Sequence, residues 1–175
     1  MTLRIPKEDS CVIPAAFYSI AIEHHRSIIE LVDRQLIGSA STLMRCLFEA
    51  YVKGLWFSKC GKEADFKSLR KDKFERKFYL LIQDIEAVQG VGVGQVKDKY
   101  WSPMNSLTHS GLFQLSRRFN ECSIVPNYSD EFAIDTLRFA SNYGFLASSK
   151  LAEITKDVEV LKAILVVSKK YNLPR

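Results

Sequence analysis

Between residues 43 and 56 the apolar side chains come in adjacent pairs, one pair to each helical turn: Leu43–Met44, Leu47–Phe48, Tyr51–Val52 and Leu55–Trp56. Pairs repeating every four residues cover a wide sector of a helix and leave it little polar surface. A chain containing such a helix must wrap it with other elements, so this one feature demands a bundle with the segment at its centre. Gly54, inside the stripe, marks a place where a neighbouring helix comes close. Ser39 or Ser41, both good N-caps, is expected to start the helix, which should end near Cys60–Gly61.

The other segments share the helical period. Pro14 is expected to open a first helix at its N1 position, after an extended segment over residues 1–13. Phe17, Ile20, Ala21, His24, Ile28 and Leu31 then fall on one face, to an end near Ile37–Gly38. A third helix, from about Phe74 to Gln89, carries Phe78, Leu81, Ile85 and Val88. Residues 90–100, beginning GVGVGQ, read as a flexible glycine-containing loop. They follow no strand and lack the GK[ST] ending of a phosphate loop. Ser102 and Pro103 are expected to open a helix carrying Asn105 and His109, broken or kinked at Gly111 before LFQLSRRF continues it, or else ended at LTHSG with His109 and its hydroxyl neighbours satisfying carbonyls.

Ser129 or Asp130 then caps a final element whose stripe runs from Ala133 to Leu165 in steps of four and three. It reads as one long helix, or two nearly collinear ones with a kink at Ser148–Ser149. Its small-residue half, Ala133 to Ala147, should pack against the second helix. No segment alternates with period two. The expectation is one all-α domain over residues 1–175, an up-down bundle with a long C-terminal helix.

Composition narrows the function classes. Lys and Arg number 25 against 20 Asp and Glu, a net charge of +5. Residues 59–77 hold eight of the basic and four of the acidic side chains. That segment reads as a solvated surface of mixed charge, anchored to the core by Phe66, Leu69 and Phe74. Cys11, Cys46, Cys60 and Cys122 form no CxxC pair and have no histidine at metal-ligand spacing. They are expected to be buried, reduced thiols, with no metal and no cofactor. The opening residues, MTLRIPKEDSCVIP, contain no apolar targeting run, and AILVV is far short of the roughly 20 residues of a membrane span. A cytoplasmic protein with no membrane segment is therefore expected.

Two polar constellations interrupt the apolar pattern. Arg45, Glu49 and Lys53 step by four along the edge of the central helix. Charges so close to a broad apolar face need partners, and Glu49 can serve Arg45. The second constellation is WSPMNSLTHSGLFQLSRRF, residues 101–119, with Asn105 four residues before His109 and Arg117 and Arg118 after it. Histidine can move protons near neutral pH. A His with one cation suffices for metal-independent RNA cleavage, the cation stabilising charge that builds on the phosphate. Arg45 across the bundle, or Arg117 further along a continuous helix, could be that cation. The same Arg45, Glu49 and His109 could instead line a pocket for a small anionic ligand, closed by Trp56 or Trp101. Contact among those three is expected in either case. Of the remaining histidines, His24 is expected to be a hydrogen-bonded core residue and His25 to face solvent.

SASTLMRCLFEAYVKGLWF followed later by MNSLTHSG resembles the HEPN-like helical bundles, notably uncharacterised bacterial branches with an R-x-x-x-E helix and an N-x-x-x-H helix. The resemblance spans about residues 14–165. It implies a homodimer of a defence or toxin–antitoxin type system, with RNA or a protein as partner. The catalytic members are ribonucleases with an R-N-x-x-x-H motif, which places Asn105 and His109 on the Asn and His. The Arg position holds Met104. On this ground the expectation is a dimeric binding module with a degenerate ribonuclease motif. The alternative is a metal-independent ribonuclease using His109 with Arg45 or Arg117. Glu49, Lys53, Arg117 and Arg118 are the candidate binding residues.

Overall fold

The computed structural model describes residues 4–90 and 92–171. Helix α1 (Asp9–Asp33) leads through a turn at Arg34–Leu36 into α2 (Ile37–Lys59), and the two pack antiparallel along most of their length. α2 is the centre that its paired apolar residues require. Leu47, Phe48 and Val52 are wholly shielded from solvent. Gly54 lies where α1 presses closest: a Cβ there would stand 2.8 Å from the Tyr18 ring. The face of α1 turned inward carries Ile13, Tyr18, Ala21, Ile28 and Val32, while Ile20 is exposed. The expected stripe was therefore rotated by part of a turn, because Tyr18 fills the space over Gly54.

Pro14 does not open α1. The helix starts at Asp9, with the Glu8 carbonyl accepting from the Cys11 and Val12 amides at 2.9 Å each. This corrects the extended 1–13 segment as well; residues 1–3 lie outside the described residues. Pro14 falls in the second turn, buried, and leaves only the exposed Ser10 carbonyl without its helical donor.

The basic segment after α2 folds as α3 (Glu63–Arg70) and an irregular stretch. The Lys62 amide donates to the Asp65 carboxylate at 2.9 Å, which fixes the start of α3, and Arg70 pairs with Asp9 of α1. Phe66 is buried and Phe74 packs on Trp56 and Phe57, as anchors of a charged surface should. Helix α4 begins only at Phe78 and ends at Gln89. Its Leu81, Ile82 and Ile85 are buried, while Val88, expected in the core, is 61% exposed.

Asp84 of α4 accepts from Trp56 Nε1 at 2.7 Å and from both ends of the Arg76 guanidinium at 2.7 Å. The Arg76 hydrogen bond, and after it the Trp56 one, holds the Asp84 carboxyl below its ordinary value of 3.8. A carboxylate depressed on folding adds stability that is complete above the unfolded pKa and is lost as pH falls through the folded one. The stability advantage of wild type over Asp84→Asn should therefore be constant near neutrality and shrink as pH falls below about 3.8, measured by urea unfolding across pH.

The expected 90–100 loop is mostly helix. α5 runs from Val93 to Thr108, and Pro103 sits inside it, not at its start. The amide of Gly94, an orphan donor in the first turn, is satisfied by Glu86 Oε1 of α4 at 2.9 Å. A cap donated by the preceding helix leaves no local sequence signal. Beyond α5 come α6 (Leu112–Leu115) and a small antiparallel pair, β1 (Phe119–Asn120) with β2 (Ser123–Ile124), which period reasoning did not register. Cys122 is exposed in that turn, and all four cysteines are free.

Ser129 caps α7 (Asp130–Thr155), accepting from the Phe132 amide at 3.2 Å. α7 seats chiefly on α1, less on α2. Its small residues serve the α1 side, where a Cβ on Gly144 would run into the His25 imidazole. Phe139 and Tyr143 reach α2 through the Phe48 and Tyr51 rings. The serines at 148 and 149 do not kink it; their hydroxyls donate to Gly144 and Phe145 carbonyls within a continuing helix. The break comes at Lys156, in the left-handed region at φ 54°. α8 (Val158–Tyr171) then folds back, its Ala163, Ile164 and Val167 facing Gly144 to Ser148 and Ile29 across a cavity of about 590 Å³. One long or two collinear helices is thus corrected to an antiparallel return. The fold is an all-α bundle. Among the described residues no helix is long and apolar enough to cross a membrane.

Candidate functional site

Arg45 and Glu49 leave α2 on successive turns of one face, each with about a quarter of its side chain exposed. Arg45 Nε donates to Glu49 Oε1 at 2.6 Å. A second guanidinium nitrogen, Nη1, points at Nε2 of His109, also at 2.6 Å, linking residues 64 apart in sequence. The Arg45 guanidinium carbon lies 4.9 Å from the centroid of Trp101. Trp101 is backed in turn by Phe78, stacked at 4.5 Å. The cation is therefore held from three directions, by a carboxylate, an imidazole and an indole face.

His109 reaches this position because α5 ends there. Its amide donates to the Asn105 carbonyl at 3.0 Å, and Ser110 follows in the left-handed region at φ 53°. Thr108 Oγ1 bonds the Met104 carbonyl at 2.8 Å and reaches the Thr42 carbonyl of α2 at 3.3 Å. That contact pins the end of α5 one turn before Arg45. Ser106 secures the reversal beyond, its Oγ accepting from the Phe113 amide at 2.9 Å. His109 itself stays exposed.

An arginine N–H can only donate, so the Nε2 it meets must accept. The tautomer that suits this contact carries its proton on Nδ1. At the solvent edge of the bundle, an anion that drew Arg45 Nη1 away would free the Nε2 lone pair to take a proton from a hydroxyl.

Of the candidate residues, Arg45, Glu49 and His109 come together. Asn105 lies one turn before His109, with its Oδ1 buried and without a hydrogen-bond partner. Lys53 is half-buried a turn beyond Glu49 and joins neither member of the pair. Arg117 is engaged elsewhere. It donates to the Phe113 carbonyl, and its guanidinium lies 4.3 Å from the Phe113 ring and 4.7 Å from the Phe132 ring. Arg118 lies over Tyr128. The helix that would have carried Arg117 towards His109 stops at His109 itself. Of the two tryptophans, Trp101 borders the cluster and Trp56 does not, being bonded to Asp84. Met104, at the position of the motif arginine, is buried in the core. His25, not expected inward, lies against Gly144 and lines the α7–α8 cavity, and burial pushes its pKa down. Sequence reasoning passed over Thr42 and Ser106 as site supports. The step of four from Trp101 to Asn105 to His109 was the signal that those three share a face.

Glu49→Ala should lower stability by about 1–2 kcal/mol in urea unfolding, more than a surface change, because it strips a partly buried guanidinium of its acceptor. A loss no larger than that of Glu63→Ala, whose pair with Lys67 is exposed, would show that Glu49 does not support Arg45.

The family model described as a family of unknown function, DUF6988, matches residues 18–173, which takes in the whole Arg45–His109 cluster. The chain belongs to the DUF6988 family. No curated protein and no solved structure gives a significant match. In this DUF6988 protein the cluster bridges α2 and α5, two helices that both lie within the matched span.

Proposed function

We propose that this DUF6988 protein is a metal-independent, HEPN-like ribonuclease in which Arg45 supplies from α2 the cation that Met104 cannot. The observation that carries the reading is the 2.6 Å approach of Arg45 Nη1 to His109 Nε2 at an exposed edge. As Arg45 Nη1 turns from His109 to the phosphate, the freed His109 Nε2 takes the proton of a ribose 2′-hydroxyl while that oxygen attacks the adjacent phosphorus. The bond from phosphorus to the 5′-oxygen breaks, and the imidazolium or water returns a proton to the leaving oxygen. The products are a 2′,3′-cyclic phosphate and a 5′-hydroxyl. Arg45 stabilises the charge building on the phosphate, with Glu49 and Trp101 holding its guanidinium in place. The resemblance adds the setting: a cytoplasmic homodimer of a bacterial defence or toxin–antitoxin system.

Purified protein incubated with labelled RNA in excess chelator should yield cyclic-phosphate ends, and His109→Ala should abolish them. A second reading is favoured by the neutralisation of Arg45 by Glu49. On that reading the bundle binds RNA or a protein partner without cutting. RNA retained in a binding assay but uncleaved, with no difference between wild type and His109→Ala, would select it.

A further inference from the structure

Past His109 the chain turns back over the N-terminal end of α2 and leaves a hollow of about 190 Å³, lined by Ser110, Gln114, Leu115 and Arg118. Ser110 follows His109 directly, so the hollow begins one residue from the base. Ser110, Leu115 and Arg118 are all exposed, and a ligand can reach them. Arg117 is held between Phe113 and Phe132, but Arg118 faces no carboxylate among the described residues. Its guanidinium lies 5.7 Å from the Tyr128 ring centroid. The Asn127 amide ties that segment down by donating to the Arg117 carbonyl at 2.8 Å. On its other side Arg118 rests on Gly38 of α2, where a Cβ would stand 2.7 Å from Nη2.

Gly38, Thr42, Arg45 and Glu49 step by four, three and four along one stripe of α2. Arg118 lies on the first, Thr108 on the second and His109 on the third. Gly38 and Arg45 are therefore about 10 Å apart along the helix axis. An RNA strand with one phosphate at Arg45 can continue along this stripe in two directions. Towards the C-terminal end of α2 it meets the Glu49 carboxylate, which repels it. Towards Gly38 it crosses the hollow beside His109 and meets Arg118, a cation with no anion of its own. Each nucleotide brings another phosphate, and each one neutralised releases counterions.

We propose that Arg118 binds a flanking phosphate of the RNA strand whose scissile phosphate lies at Arg45, with Ser110 and Gln114 lining the path between them. This rests on the reading of Arg45 and His109 as an RNA-cleaving pair, and adds the direction in which the strand lies. Gly38 belongs to the same subsite, since any side chain there would push the guanidinium off α2.

The test is binding of 2′-O-methyl oligouridylates, which lack the attacking hydroxyl, to the full chain by fluorescence anisotropy. Arg118→Ala, an exposed change, should weaken a labelled hexanucleotide about tenfold. It should also lower the slope of log Kd against log salt by about 0.7, the share of one phosphate contact. Arg118→Lys keeps the charge and should keep the slope. A dinucleotide has a single phosphate and cannot fill both cations. The advantage of six nucleotides over two, read by competition, should therefore shrink in Arg118→Ala. Lys67→Ala, on α3 beyond the opposite end of α2, measures the loss of one positive charge away from the site. No binding of the hexanucleotide, an affinity unchanged in Arg118→Ala, or an equal loss in Lys67→Ala overturns the proposal. Cleavage of unmodified RNA is followed in parallel. Cleavage without an Arg118 effect on affinity removes the subsite alone; Arg118-dependent affinity without cleavage removes the ribonuclease reading alone.

Discussion

Arg45→Ala is expected to slow single-turnover RNA cleavage in excess chelator by about 10²–10³-fold, the usual cost of losing one donor to a developing oxyanion. His109→Ala should cost at least as much. The double variant should cost little more than the worse single one, because the two groups act on one transition state. Arg45→Lys should recover only part of the rate. The native guanidinium serves Glu49 through Nε and His109 through Nη1 at once, and an ammonium has no such fork. Arg117→Ala should leave the rate near wild type, since its guanidinium is held between Phe113 and Phe132. A fall for Arg117→Ala as large as for Arg45→Ala would reassign the cation. Melting temperatures of all variants should be compared, because Arg45 also lies over Trp101 and its loss removes packing as well as charge.

The largest expected effect on stability is that of Phe48→Ala, about 3–5 kcal/mol in urea unfolding. Phe48 is wholly buried, and its ring meets Tyr143 at 5.1 Å, Phe78 at 5.8 Å and Phe139 at 6.2 Å between centroids. Its removal leaves a cavity where α2, α4 and α7 converge, lined by rings that cannot collapse into it. Native domains hold only about 5–15 kcal/mol in total, so the variant should be barely folded at 37 °C. Val88→Ala, also predicted to be a core change by periodicity, should lie within about ±0.5 kcal/mol, because Val88 is largely exposed. A Phe48→Ala loss below 1 kcal/mol would contradict the packing described.

Several features follow from local chemistry and were legible in the residues alone. Paired apolar residues at every turn made α2 central, since no single flat partner can cover so wide a stripe. Gly54 announced a close approach, and Tyr18 makes it. Ser129 capped α7 as serine does wherever helix amides lack acceptors. The step of four from Arg45 to Glu49 put that pair on one face.

What only the tertiary structure decided was which of these faces meet. Helical period specifies the buried side of a segment but not its neighbour or its direction. The stripe from Ala133 to Leu165 serves a straight helix and an antiparallel return equally well; the left-handed Lys156 chose the return. The start of α5 depended on Glu86, a carboxylate from another helix. His25 rather than His24 came to lie against α7 because Gly144 leaves room for a ring. The pairing of Arg45 with His109 likewise required α5 to end where Thr108 reaches the Thr42 carbonyl. Sequence determined the members of the cluster, because charge at an apolar edge must find a partner, and it put His109 among them; only the packing of α5 on α2 could set the geometry, Glu49 on Nε and His109 on Nη1 of one guanidinium.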